Sequence, residues 1–216
     1  MDAEGLTFAC ATAAEQRVAR RAGLRAVRIG VRGAAGLPDG ELVSFGLAGA
    51  LHDGLHIGEL LDATRVVDSS GATLWEGAPL GVSGARHATM LASDVLVHDA
   101  AERRRLRESS GADAVDMESG VLAASGRLAG VVRAISDVPG SAVAGVDDTV
   151  HADGRTNVVG LLRWVAVKRG DAIRSMRDAL KALHALQRLR PGGSTWSRPE
   201  PLDVSDLGAS TRGRAA

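Results

Sequence analysis

Ala112-Asp113-Ala114-Val115-Asp116-Met117-Glu118-Ser119-Gly120 is the stretch on which the reading of this chain turns. A short apolar run passes straight into a helical pattern, and carboxylates stand where the strand ends. In open α/β sheets ligands bind at the carboxyl ends of the strands, so Asp116 and Glu118 fall where chemistry is to be sought. A second stretch, Val131-Val132-Arg133-Ala134-Ile135-Ser136-Asp137-Val138-Pro139-Gly140, repeats the arrangement with a buried strand, a terminal carboxylate and a turn. A third, Leu42-Val43-Ser44-Phe45-Gly46-Leu47-Ala48-Gly49-Ala50-Leu51, reads as a strand ending in a turn whose two glycines let backbone N–H groups approach a ligand.

Working outward, short Val, Leu, Ile and Ala runs alternate with helical patterns, which predicts an α/β fold with a largely parallel sheet covered on both faces. Strands are expected at 6–11, 25–31, 41–46, 59–67, 93–98, 112–116 and 129–135. Helices are expected at 12–22, 99–109, 117–127, 156–169 and 171–189, the last carrying Ile173, Met176, Leu180, Leu183 and Leu186 at near-helical spacing. Only residues 32–40 separate the second and third strands, where a parallel crossover normally needs a dozen residues and a helix.

At 216 residues and 45% hydrophobic composition the chain fits one domain, read as residues 1–190. Residues 191–216, rich in Pro, Gly, Ser and Arg, bury too little apolar surface to offset their ordering entropy and are read as a disordered tail. Lys plus Arg and Asp plus Glu both number 26, so no overall basic field draws nucleic acid. Cys10, the single cysteine, lies in an apolar run and reads as a core residue, not a nucleophile. The N-terminus has no basic flank followed by an apolar stretch, and the chain is read as cytoplasmic.

Ala-Val-Asp-Met-Glu at 114–118, followed by Arg-Ala-Ile-Ser-Asp at 133–137, resembles the purine nucleoside phosphorylase and methylthioadenosine/adenosylhomocysteine nucleosidase superfamily. The resemblance runs in order from about residue 6 to 189 and implies a three-layer α/β/α nucleoside phosphorylase-like fold with a central mixed, largely parallel sheet. Ala101-Glu102-Arg103-Arg104 and Gly160-Leu161-Leu162-Arg163-Trp164 look most like its hopanoid-associated phosphorylase branch. That would imply release of adenine from adenosylhopane, leaving a ribosyl lipid.

Cleavage of a ribosyl–purine bond builds positive charge on the sugar and negative charge on the departing base, so the site must supply an acid to the base. By resemblance Asp137 is that general acid, and Glu118 holds the ribose hydroxyls. Met117 would line the sugar, Ala48 and Gly49 would form the turn beside base and sugar, and Leu96 and Val97 would flank the purine. Glu15 matches the family's N-terminal glutamate, which aligns water beneath the anomeric carbon. No cofactor or metal is implied, and inorganic phosphate is a candidate co-substrate, with Arg32 or Arg28 as candidate cations. The shortened crossover and the short 69–86 stretch depart from the family and would leave the 5′ side of the pocket open, which suits a large apolar substituent. A homodimer or larger homo-oligomer is implied.

Plainer readings stand beside these. Thr12-Ala13-Ala14-Glu15 is a capping box that accounts for Glu15 through helix initiation alone. Glu118 fits a helix's first turn, where the macrodipole favours an acid, and Asp137 fits the turn Asp-Val-Pro-Gly. His52 and His56 read as surface histidines, and Arg103, Arg104 and Arg105 as a solvated helix face. The basic 163–190 region could touch an anionic membrane, although a core-packed helix explains its stripe better. A second class of function is a catalytically weak nucleoside-binding or lipid-associated protein that kept the fold. A Ser or Cys hydrolase lacks its G-x-S-x-G elbow.

Overall fold

Strand β1 (Thr7–Cys10) is buried at every position and runs into helix α1 (Ala13–Arg21) through the predicted capping box. The Thr12 hydroxyl accepts from the Glu15 amide at 3.2 Å, while the Glu15 carboxylate accepts from the Thr12 amide at 2.8 Å. These bonds satisfy two of the donors that a helix start leaves free. The computed structural model describes residues 5–141 and 169–189. The predicted helix at 156–169 lies almost wholly outside them, as does the predicted disordered tail at 191–216.

From α1 the chain returns as β2 (Ala26–Arg28), then follows β3 (Leu42–Ala50), β4 (Leu60–Val67), β5 (Thr73–Glu76) and β6 (Arg86–Ala92). Helix α2 (Ala100–Ser110), β7 (Ala114–Asp116), α3 (Ser119–Ala124), β8 (Leu128–Asp137) and α4 (Arg169–Gln187) complete the described elements. The sheet is mixed and largely parallel, as expected. Parallel pairs join β1 to β2 and β3, β3 to β8, and β6 to β4 and β7, against antiparallel pairs β3/β7, β4/β5 and β4/β8.

The sheet is not open. β3 pairs with β8, β8 with β4, β4 with β6, β6 with β7, and β7 returns to β3, so five strands close a ring. β2 and β1 extend from one side of it and β5 from another. Segment 29–41 joins two strands that both run parallel to β1, and it does so through a 3-10 turn at Val31–Gly33 instead of an α-helix.

Apolar side chains fill three clusters around this sheet. Val43 and Phe45 of β3 and Val132 and Ala134 of β8 pack with Val18 and Ala19 of α1 and Ala182 and Leu186 of α4. Phe8 and Phe45 meet edge to face with centroids 5.7 Å apart. Leu42, Ala48, Val131 and Ile135 pack instead with Leu61, Met90 and Leu122 of α3. This period-two alternation on β3 and β8 places helices on both sides of the sheet. A smaller cluster of Leu51, Val67, Leu91, Val97 and Val115 lies against Leu106 of α2. Cys10 is buried in the first cluster, in keeping with its reading as a core residue.

Several expected elements differ. The strand expected at 93–98 is a loop, because the Ser93 hydroxyl donates to the Val95 carbonyl at 2.7 Å and accepts from its amide at 3.2 Å. That local closure uses groups a ladder would need. The strand is instead β6, whose polar start, Arg86-His87, hides its apolar end. Strand 41–46 continues to Ala50, so Ala48 and Gly49 are strand residues with a register shift between them and not a turn. The helix expected at 117–127 is shortened to α3, because the Asp116 carboxylate accepts from the Ser119 amide at 2.9 Å and starts the helix there. The C-terminal half of α4 is packed in the core, while Ile173, Met176 and Leu180 are exposed. No described helix is long and apolar enough to cross a membrane.

Candidate active site

Two buried arginine–carboxylate assemblies are strung along β3. The first is built on Arg133, which β8 presents with no solvent exposure. Its guanidinium lies 2.7 Å from Asp116 and 3.4 Å from Glu118, and donates to the Ser44 hydroxyl at 2.6 Å. Asp116 ends β7 and Glu118 stands at the N-cap of α3, so the short strand-to-helix passage delivers both carboxylates to one cation. Glu118 makes no side-chain capping bond there. Its carboxylate accepts from Arg133 and, at 3.3 Å, from the Arg32 amide. Helix-start chemistry alone therefore does not account for it.

Glu15 reaches the same place from α1. One carboxylate oxygen accepts from the Thr12 amide and hydroxyl, both at 2.8 Å, and the other from the Leu47 amide at 2.9 Å. A carboxylate offers about four lone-pair positions, so one is left for a ligand or water. Gly46 is what makes the meeting possible: a Cβ there would lie 2.2 Å from Glu15 Oε1 and 2.6 Å from Arg133 Nη1.

The electrostatics follow from this crowding. Burial pushes Glu118 up to about 7, with Asp116 and Glu15 adding to the rise while Arg133 and the Arg32 amide oppose it. Burial works against the charged form of Arg133, yet Asp116, Glu118 and Glu15 together outweigh it and raise its pKa. Burial also raises the Cys10 thiol well above its usual value, with Glu15 contributing, which leaves it a poor nucleophile.

The second assembly joins Asp137, the last residue of β8, to Arg103 of α2. Arg103 is 1% exposed, so its reading as part of a solvated face is corrected, although Arg104 and Arg105 are exposed as expected. The physical reason is helical spacing: Arg103, Leu106 and Ser110 share the inward stripe of α2. The guanidinium donates to the Val97 carbonyl at 2.7 and 3.1 Å and to the Ala50 carbonyl at 2.9 Å, besides pairing with Asp137 Oδ2. The Ser136 hydroxyl donates to Asp137 Oδ1 at 2.8 Å. Gly49 lies beside Asp137 in register, and a Cβ there would sit 2.8 Å from Asp137 Oδ2 and 3.4 Å from both terminal nitrogens of Arg103. The two glycines of β3 thus admit side-chain charge where the sequence suggested an approach of backbone to ligand.

Met117 lines a cavity of about 420 Å³ together with Arg32, Leu74, Ala92, Ser93 and Val121. Arg32 has φ 52° and ψ 28°, the one left-handed non-glycine among the described residues, and such strain persists where its surroundings enforce it. Its amide serves Glu118 and its guanidinium donates to the Asp94 carbonyl at 3.2 Å. Of the two residues expected to flank a purine, Val97 is committed to the cluster under α2 and Leu96 is partly exposed. His56 is exposed, but His52 is only partly so and lies 3.4 Å from Asp113, which also pairs with Arg107 at 2.8 Å.

Of the residues predicted for the site, Glu15 and Glu118 come together around Arg133, whereas Asp137 and Gly49 form the Arg103 assembly further along β3. Arg133 stood in the recognised motif without a role, and Arg103 was read as surface.

No family profile matches the sequence, and no curated protein matches it. Solved structures share the fold. The methylthioadenosine/S-adenosylhomocysteine nucleosidase from S. pneumoniae, bound to a transition-state inhibitor, has a TM-score of 0.50 at 14% identity, covering 82% of this chain and 99% of that one. The corresponding nucleosidase from Campylobacter jejuni scores 0.46 at 16% identity, covering 86% and 99%. Futalosine hydrolase from Helicobacter pylori scores 0.45 at 15% identity, covering 61% and 89%. At these identities the likeness is one of fold, and the chain has the architecture of a nucleosidase-like α/β protein.

Proposed function

We propose that this protein cleaves the N-glycosidic bond of an adenosine-type nucleoside and releases adenine. The observation that carries the reading is the placing of two polar assemblies on one strand of a nucleosidase-like fold. Gly46 touches the Glu15–Glu118–Arg133 group and Gly49 the Asp137–Arg103 pair.

In this reading Glu118 accepts from the ribose hydroxyls and favours the positive charge that grows on the sugar. Asp137 serves the departing base as acid, and Glu15 uses its remaining lone pair to orient water. The acceptor is water or phosphate. Arg32, a residue of the cavity lining, is a candidate cation for the latter. The apolar walls of Leu74, Ala92, Met117 and Val121 favour a nucleoside with a large apolar 5′ group, with adenosylhopane as the finer expectation.

The test is to incubate purified protein with adenosine and with an adenosine bearing a long apolar 5′ group, with and without phosphate, beside Asp137→Asn. Adenine release without phosphate makes water the acceptor, and release only with phosphate, as a sugar 1-phosphate, makes it a phosphorylase. Release from neither substrate removes the enzymatic reading and leaves a nucleoside-binding protein.

A further inference from the structure

We infer that Arg103 is a positioning residue that decides which oxygen of Asp137 faces the departing base. The inference rests on the proposed role of Asp137.

Arg103 is nine-tenths or more buried and is held without reference to Asp137, because it donates to carbonyls from two separate segments, Val97 and Ala50. Three of its five N–H donors go to those carbonyls, so the plane is fixed and each of the other two points in one direction. One of them, on Nη2, meets Asp137 Oδ2. The backbone of Gly49 closes the same side, since even a methyl group there would come within 2.8 Å of Oδ2. Oδ2 is thereby occupied and walled off.

Oδ1 differs. Its partner is the Ser136 hydroxyl, which has one proton and an alternative acceptor in the Ala48 carbonyl at 3.3 Å. Turning that hydroxyl frees Oδ1 for a ligand at little cost. In the acid form of Asp137 the proton sits on Oδ1, away from the guanidinium. The Oδ1–H bond breaks as that proton passes to the base nitrogen, and the electron pair of the broken C–N bond goes to the base. Water adds to the sugar carbon and gives a proton to Glu15, or phosphate adds there as the anion. The negative charge left on Asp137 stays opposite the guanidinium. Lysine has no plane with which to bridge two carbonyls and a carboxylate, so the requirement is for arginine and not merely for charge.

Arg103→Met, Arg103→Lys, Asp137→Asn and the double variant Arg103→Met/Asp137→Asn test this. Arg103→Met should lower kcat at least about tenfold with KM nearly unchanged, as expected for a misplaced reacting group. In the Asp137→Asn background the same change should add nothing further. An equal loss in both backgrounds, or a rise in KM with kcat unchanged, overturns the proposal. Should the methionine variant not fold, Arg103→Lys carries the same comparison. A crystal structure of Arg103→Lys gives a readout free of turnover: Asp137 should leave its place beside Gly49, and an unmoved carboxylate overturns the proposal. If the wild-type protein releases no adenine, the functional reading fails by itself and this structural comparison still decides the role of Arg103.

Discussion

Arg133 and Arg103 are both buried arginines that hold carboxylates against β3, but they are balanced differently. Arg133 faces Asp116, Glu118 and Glu15, and its Nε has no hydrogen-bond partner among the described residues. Arg103 pairs with one carboxylate and donates three further N–H groups to the carbonyls of Val97 and Ala50. The first assembly sets three carboxylates against one guanidinium, and burial, with Asp116 and Glu15 adding to it, raises Glu118 despite Arg133. The second is neutral and geometrically fixed. In the proposed function the first assembly would meet a cationic sugar and the second would direct a proton.

Removing each arginine should separate the two most strongly. Arg133→Met leaves its carboxylates without their cation and should destabilise the fold by about 3–5 kcal/mol. Arg103→Met leaves only Asp137, whose side chain is 13% exposed, and should cost less. Equal shifts in urea midpoint would mean that charge balance does not distinguish the two assemblies.

Gly46→Ala and Gly49→Ala probe the same contrast through space. Each should cost roughly 1–3 kcal/mol by overpacking. Gly46→Ala should be the worse, because its Cβ would meet Glu15 at 2.2 Å where that of Gly49 would meet Asp137 at 2.8 Å. Thermal melts of the two variants give the order directly.

The burial of Glu118 should also show in pH dependence. Glu118 is raised in the folded state, so the fold binds more protons than the unfolded chain between about 4.5 and about 7. Its contribution to stability is therefore lost as pH rises through that window. Glu118→Gln should escape the loss, and the gap between its melting temperature and that of the wild type should widen from pH 4.5 to 7 and then level off. Below that range the two should differ little. At the surface, Arg86→Ala breaks a pair with Glu59 at 2.9 Å in which the arginine side chain is 50% exposed. That loss should stay below about 1 kcal/mol, the scale against which the buried arginines are judged.

The sequence carried the strands that are apolar throughout and the helix start marked by Thr12, because local chemistry decides those. It did not carry β5 or β6. The exposed stretch Thr73–Glu76 and the polar opening of β6 look like loop, and what makes them strands is pairing, of β5 with β4 and of β6 with β4 and β7. Ring closure was equally hidden, since it depends on β8 reaching both β3 and β4. Within the candidate site, Glu15, Glu118 and Asp137 could be singled out by motif, but their partners could not. Arg103 meets a carboxylate 34 residues away, and the inward spacing of Arg103, Leu106 and Ser110 was the one local sign that it is not on the surface.

Ring closure also bears on how this protein behaves among copies of itself. Each ring strand is flanked on both sides, and β1 lies between β2 and β3, so the described sheet ends only at β2 and β5. These strands are three and four residues long, and Glu76 closes the second with a charge. An unpaired edge is a template on which another chain can add a strand, and short or charged edges make poor templates. A sheet that curls onto itself to hold two buried ion clusters thus leaves little backbone on which fibrils or mispaired aggregates could grow.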